Sequence, residues 1–142
     1  MLVRKATMKD ALVIRGLLEQ LNYPVTDGFI AAKLPELLVH PDQELLVCEF
    51  YGRVAGFVSL HFLPQLAFSG EFAVISCFVV DRKYRSRGIG TALEAYCTRL
   101  AGQRGCERIG LHCHLHREDA LRFYERQGYR ESKKYLIKKT GK

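Results

Sequence analysis

An apolar stretch, Val74-Ile75-Ser76-Cys77-Phe78-Val79-Val80, runs into the basic loop Asp81-Arg82-Lys83-Tyr84-Arg85-Ser86-Arg87, and Gly88 and Gly90 then open a third segment. The first piece is too apolar for an edge strand. In the third, Ile89, Leu93, Tyr96, Cys97 and Leu100 keep helical spacing. A strand feeding a glycine-led helix through a cationic loop restricts the chain to α/β architectures and builds an anion site. The first turn of a helix leaves its N–H groups without intrahelical acceptors, and the macrodipole adds partial positive charge there. Glycines let a phosphate approach bare backbone, and Arg85 and Arg87 add full charges beside it. The segment therefore predicts a phosphate ligand, most simply a diphosphate.

Two phosphate-binding patterns are excluded. A P-loop needs Lys-Ser or Lys-Thr after its second glycine, and neither pair follows a glycine here. A dinucleotide fingerprint needs Gly-x-Gly-x-x-Gly near the start of a βαβ unit, and this element sits mid-chain with different spacing. The pattern Arg85-x-x-Gly88-x-Gly90, with Ala92-Leu93 on the following helix, instead resembles the acetyl-CoA loop of the GNAT superfamily of N-acetyltransferases.

The rest of the chain is compatible with that resemblance. At 142 residues it is expected to form one domain, residues 1–142, with a proper core. No apolar run approaches the roughly 20 residues of a membrane span, and the start Met-Leu-Val-Arg-Lys-Ala-Thr lacks the long apolar segment of a secretory signal. A cytoplasmic protein with no membrane partner is the expectation. Five cysteines, Cys48, Cys77, Cys97, Cys106 and Cys113, form no Cys-x-x-Cys pair and read as reduced core thiols. The net charge of +7 is concentrated in residues 82–87 and 133–142. An anionic cofactor explains the first cluster and a solvated tail the second. Without interleaved aromatic and basic residues, nucleic acid is not an expected partner.

Periodicity places a strand over residues 2–6 and a helix over 10–22, with Thr7 as its cap. A second helix starts at Thr26 or Asp27 and runs through Leu38, kinked or broken at Pro35. Strands over 44–50 and 53–62 are joined by Tyr51-Gly52 as a hairpin turn. A strand over 71–80, a helix over 88–102, a strand over 108–114, a helix over 118–127 ended by Gly128, and a strand over 129–138 complete the chain. The expected fold is α/β with a mixed, largely antiparallel sheet in the order β-α-α-β-β-β-α-β-α-β. This is also the element order of the GNAT fold.

Near the end stands Arg117-Glu-Asp-Ala120-Leu-Arg-Phe123-Tyr124-Glu-Arg-Gln-Gly128-Tyr129. It is similar to the GNAT pattern Ala-x-x-Phe/Leu-Tyr followed by Gly-Phe/Tyr. With Arg117 at its head, it resembles the version found in branches that acetylate small amines. By that resemblance the chain is expected to move an acetyl group from acetyl-CoA directly to a primary amine, with no metal. Arg85, Ser86, Arg87, Gly88, Ile89, Gly90 and Thr91 would hold the diphosphate, with Arg117 as a further cofactor contact. The backbone of Phe78, Val79 and Val80 would pair with the pantetheine arm, as an added strand does, in a gap facing residues 111–114. Tyr124 matches the tyrosine that protonates the CoA thiolate, a sensible role for a phenol of pKa about 10. The same position also suits a core tyrosine.

Many relatives carry a glutamate near Val74 or Cys77 as general base, and both positions are non-acidic here. Glu71, Ser76 through a water, His112 and His114 are the substitutes, with His114 best placed beside the gap. The run His112-x-His114-x-His116 has the alternation of a zinc-binding strand. It straddles an expected strand end and lacks a local carboxylate or suitably directed cysteine. Acceptor contacts are expected from residues 22–38, residues 64–71 and the C-terminal strands, with His61 to Gln65, Tyr23 and Phe29 as candidate lining. A homodimer is a further expectation from the resemblance. The alternative function is a CoA-binding sensor or assembly domain without catalysis.

Overall fold

The computed structural model describes residues 1–23, 27–113 and 117–141, which fall into two compact units, Met1–Leu111 and His112–Lys142. The sheet of the first unit is organised about a hairpin. Strands β2 (Gln43–Phe50) and β3 (Arg53–Leu63) are joined by Tyr51 and Gly52 at φ 52° and 76°. Both central residues are left-handed, as a two-residue turn matched to strand twist requires. β1 (Leu2–Lys5) lies antiparallel on the outer side of β2, and β4 (Phe72–Val80) lies antiparallel to β3. β5 (Arg108–Leu111) adds parallel to β4, giving the order β1-β2-β3-β4-β5. A parallel neighbour needs a crossover, and α3 (Ile89–Gln103) supplies it.

Helices cover both faces. Ile89, Leu93 and Cys97 of α3 pack on Leu46, Val58, Leu60 and Phe62. On the opposite face, Ile14 and Leu17 of α1 (Ala11–Glu19) and Leu34 of α2 (Asp27–Val39) pack on Val47, Phe57 and Val79. The central strands are thus buried on both sides, which is why Leu45-Leu46-Val47-Cys48 is continuously apolar. Gly56 permits close approach of α3: a Cβ there would lie 2.8 Å from the Val79 carbonyl and 3.3 Å from both Ile89 Cγ2 and Leu93 Cδ1.

Several expected boundaries move. α1 stops at Glu19, and the chain turns at Asn22 with φ 63°. Thr7 caps a short 3-10 turn (Met8–Asp10) ahead of α1, with Asp10 completing a capping box. α2 continues through Pro35, with no break into two pieces, and Thr26 lies outside the described residues. α3 runs through Gly102 and ends at Gly105, φ 82°, where the Gly105 and Cys106 N–H groups reach back to the Gly102 and Ala101 carbonyls.

β5 ends at Leu111 and does not reach residue 114. Its ladder stops at Ile75–Leu111, immediately before an irregularity in β4. In the second unit, α4 (Glu118–Arg126) ends on Gly128 at φ 97°, with Tyr129 N–H donating to the Tyr124 carbonyl. The strand expected over 129–138 is not formed. Arg130-Glu131-Ser132-Lys133-Lys134 leaves three consecutive apolar residues, Tyr135-Leu136-Ile137, and Leu136 and Ile137 are 88% and 79% exposed. That stretch buries too little to order a strand.

Candidate active site

The loop entering α3 is fixed at its start and open at its end. Asp81 N–H donates to the Ala55 carbonyl at 2.8 Å, and the Asp81 carboxylate accepts from Lys83 N–H at 3.1 Å and Gln20 Nε2 at 3.3 Å. Gln20, at the C-terminus of α1, takes the Arg82 N–H on its side chain and the Arg82 guanidinium on its carbonyl. Arg82 is therefore engaged at a helix C-terminus, where a cation is favoured. Arg85 and Arg87 are exposed and ion-paired to no acid among the described residues. Ser86 at φ 63° and Gly88 at φ 85° turn the backbone so that α3 starts directly behind the two arginines. Gly88 is the N-cap, without a side chain to occupy the first turn, and a Cβ there would approach only Met1 Cε, at 3.8 Å. Gly90 and Thr91 lie inside the first turn of α3, and Ile89 is buried beneath it. Exposed cations, a bare helix N-terminus and a glycine cap fit a phosphate group.

The second half of the site is the bulge in β4. Ser59 faces Cys77 and Leu60 faces Ile75, so Ser76 is an extra residue with no opposite number on β3. Before it, Ala73 and Ile75 point to the α3 face. After it, Phe78 and Val80 take that face, while Cys77 and Val79 turn to the α1 side. β4 pairs with β5 only over Phe72 to Ile75, so from Ser76 to Val80 its outer edge has left that ladder.

A polar cluster occupies the bulge and was not singled out as a unit by sequence reasoning. His61 Nε2 lies 2.6 Å from Ser76 Oγ and 3.3 Å from Ser59 Oγ, and Ser59 Oγ accepts Gln43 Nε2–H at 2.9 Å. Gln43 and Ser59 are buried. Burial pushes the His61 pKa below its ordinary value, and His40 pushes it in the same direction. One sequence signal existed: Ser59 and His61 are polar residues two apart on one face of an otherwise apolar strand.

The other candidates fall as follows. Glu71 precedes β4, and its carboxylate is bound by Arg104 Nε at 2.6 Å, while the same guanidinium holds Asp42 and the Pro41 carbonyl and stacks on Phe62. Glu71 is thus a structural anion, away from the bulge. His112 is exposed and stacks on Tyr135 at 3.8 Å, and His114 and His116 lie outside the described residues. Arg117 is exposed at the start of α4, and Tyr124 is half-buried, edge-on to Phe123 and Tyr129. Gln65 braces its own loop, donating to the Phe68 and Gly70 carbonyls and accepting Phe68 N–H. None of the five cysteines is in a disulfide, and burial pushes Cys77 up to about 11 and Cys97 up to about 12. Both stay protonated and unreactive at neutral pH. No cluster of three metal-ligating side chains occurs among the described residues, and no described helix is long and apolar enough to cross a membrane.

A mixed sheet whose fourth strand bulges and parts from the fifth, next to a glycine-capped helix with free arginines, defines a transferase that uses an acyl-CoA. The chain belongs to the acetyltransferase (GNAT) family, whose model matches residues 13–129. It is an N-acetyltransferase with acetyl-CoA as co-substrate. It is 33% identical over 136 residues to an aminoalkylphosphonate N-acetyltransferase of Salmonella typhimurium, covering 92% of this chain and 85% of the relative. A structure described as a transcriptional regulator from Bacillus halodurans C-125 superposes with a TM-score of 0.88 at 25% identity, over 98% of this chain and 99% of the other. The aminoglycoside N-acetyltransferase AAC(6')-Iy in complex with CoA shares the fold, with a TM-score of 0.86 at 18% identity over 98% and 93% of the two chains.

Proposed function

We propose that the protein acetylates a primary amine of a small molecule and works as one domain over residues 1–142. The observation that carries this reading is the start of α3, where Arg85 and Arg87 stand unpaired with acids among the described residues, ahead of the left-handed Gly88. In this reading Arg85, Ser86, Arg87, Gly88, Ile89, Gly90 and Thr91 hold the diphosphate of CoA, with Arg117 as an additional cation. The β4 edge at Phe78, Val79 and Val80 accommodates the pantetheine arm, and an N–H there polarises the acetyl carbonyl. The sequence motif at the head of α4 assigns Tyr124 the role of proton donor to the departing sulfur, and His114 remains a candidate for the base. The small-amine acceptor is supported by the similarity to the aminoalkylphosphonate enzyme. A cytoplasmic homodimer completes the proposal.

The test is incubation of the full chain with acetyl-CoA and a panel of aminoalkylphosphonates, amino sugars and short peptides, following free thiol and the mass of the product. Amine-dependent thiol release with a gain of one acetyl group is expected. Tight acetyl-CoA binding without turnover on any amine would leave a sensor in place of an enzyme.

A further inference from the structure

The cluster at the β4 bulge contributes nothing to holding a diphosphate, and its geometry is that of a proton relay. We propose that His61, acting through the Ser76 hydroxyl, receives the proton that the acceptor amine loses during acetyl transfer; this rests on the N-acetyltransferase reading above.

Three features converge. Ser76 is the extra residue of the bulge and is exposed where β4 leaves β5, beside the β4 edge proposed to hold the thioester. That hydroxyl lies 2.6 Å from His61 Nε2. Ser59 Oγ lies 3.3 Å from the same nitrogen and accepts the Gln43 amide. In the proposed relay Nε2 accepts the Ser76 hydrogen, which places the ring hydrogen on Nδ1.

The surroundings keep this imidazole neutral. Gln43 on β2 and Val74 on β4 stand opposite His61 and are uncharged. Cys77, further along β4, is held as the neutral thiol by burial. His40, in the turn after α2, bears on His61 as a like charge, and no acid among the described residues offsets it. The ring is therefore available as a base through the whole neutral range.

The step balances. The neutral amine bonds to the acetyl carbon, and its N–H becomes acidic as positive charge develops on nitrogen. That proton passes to Ser76 Oγ while the hydrogen of Ser76 passes to His61 Nε2. The carbon–sulfur bond breaks with its electron pair on sulfur, leaving an acetamide, a thiolate and an imidazolium that returns its proton to water. No oxidant or metal is needed. The relay also accounts for a β4 without a carboxylate: the base stands on β3 and reaches the gap through the bulge.

The experiment compares the full chain with His61→Gln and Ser76→Ala, measuring kcat/KM from pH 5 to 9 with acetyl-CoA affinity measured separately. Wild-type kcat/KM is expected to fall on the acid side with a midpoint below about 6.5. His61→Gln should lose that limb and lower kcat by roughly 100-fold or more at unchanged acetyl-CoA affinity. Ser76→Ala, at an exposed site that folding does not depend on, should lower kcat in the same way. Wild-type kcat with an intact acid limb in both variants would overturn the proposal. NMR of the imidazole nitrogens gives a readout independent of turnover, expected to show Nδ1–H and a midpoint below about 6.5. An Nε2–H ring overturns the relay even where activity is absent. Failure of the acetyltransferase reading looks different: wild-type protein then releases no thiol with any amine.

Discussion

Gly56→Ala is a direct test of how the sheet positions the cofactor helix. The added Cβ would sit 2.8 Å from the Val79 carbonyl oxygen, closer than real Cβ atoms approach, and 3.3 Å from side-chain atoms of Ile89 and Leu93. The first neighbour is backbone of the adjacent strand and cannot rotate away. The other two are buried residues of α3, at 1% and 0% exposure, with no open volume to move into. Overpacking of this kind costs about 1–3 kcal/mol. For a chain of this length that lowers Tm by roughly 3–10 °C. Because Ile89 is the first residue of α3, the same displacement moves the N–H groups proposed to bind phosphate, so acetyl-CoA affinity should fall as well. Gly102→Ala is the control. It lies in the same helix, exposed, with nothing within 4 Å of its added Cβ, and should gain about 0.5–1 kcal/mol from helix propensity alone. Thermal melts and calorimetric titration with acetyl-CoA read both effects. An unchanged Tm and Kd in Gly56→Ala would refute the packing account of α3.

Replacing Gly88 with Val forces a β-branched residue into φ 85° and places its side chain over the first turn; acetyl-CoA Kd should rise by more than the roughly 1–2 kcal/mol of backbone strain accounts for, as titration against thermal stability will show. Tyr124→Phe should lower kcat while leaving acetyl-CoA binding largely intact, and wild-type turnover would return Tyr124 to a packing role. Asp10 is nearly buried and receives both ends of the Arg4 guanidinium, at 2.9 and 3.0 Å, which holds its carboxyl below the usual carboxylate range. Its contribution is therefore present above pH about 4 and lost as pH falls through the lower folded value. Asp10→Asn should cost about 2 kcal/mol at pH 7, less than a fully buried pair because Arg4 is 31% exposed, and should flatten the decline of Tm below pH 4.

The pieces legible in the sequence were those governed by local chemistry. Tyr51-Gly52 announced a tight turn, and Gly128 announced a helix end. What escaped depends on chains meeting at a distance. Gly102 looked like the end of α3, but the left-handed turn belongs to Gly105. Glu71 looked like a base until Arg104, 33 residues on, bound its carboxylate. The final strand expected over 129–138 is not supported by its exposed side chains. His61 and Ser76 are 15 positions apart, and only the extra residue in β4 brings their side chains to 2.6 Å.

That extra residue also separates two kinds of change. A substitution at Ser76 alters one side chain and leaves the count along β4 untouched, so every residue downstream keeps its side of the sheet. Deleting Ser76 would instead remove the bulge: Cys77 would follow Ile75 directly, in strict alternation and with the partners on β3 that both already have. Phe78 and Val80 would stay on the α3 face, and Cys77 and Val79 on the α1 side. The bulge is thus carried by a single residue, whose loss would straighten the strand without changing the face that any later residue presents.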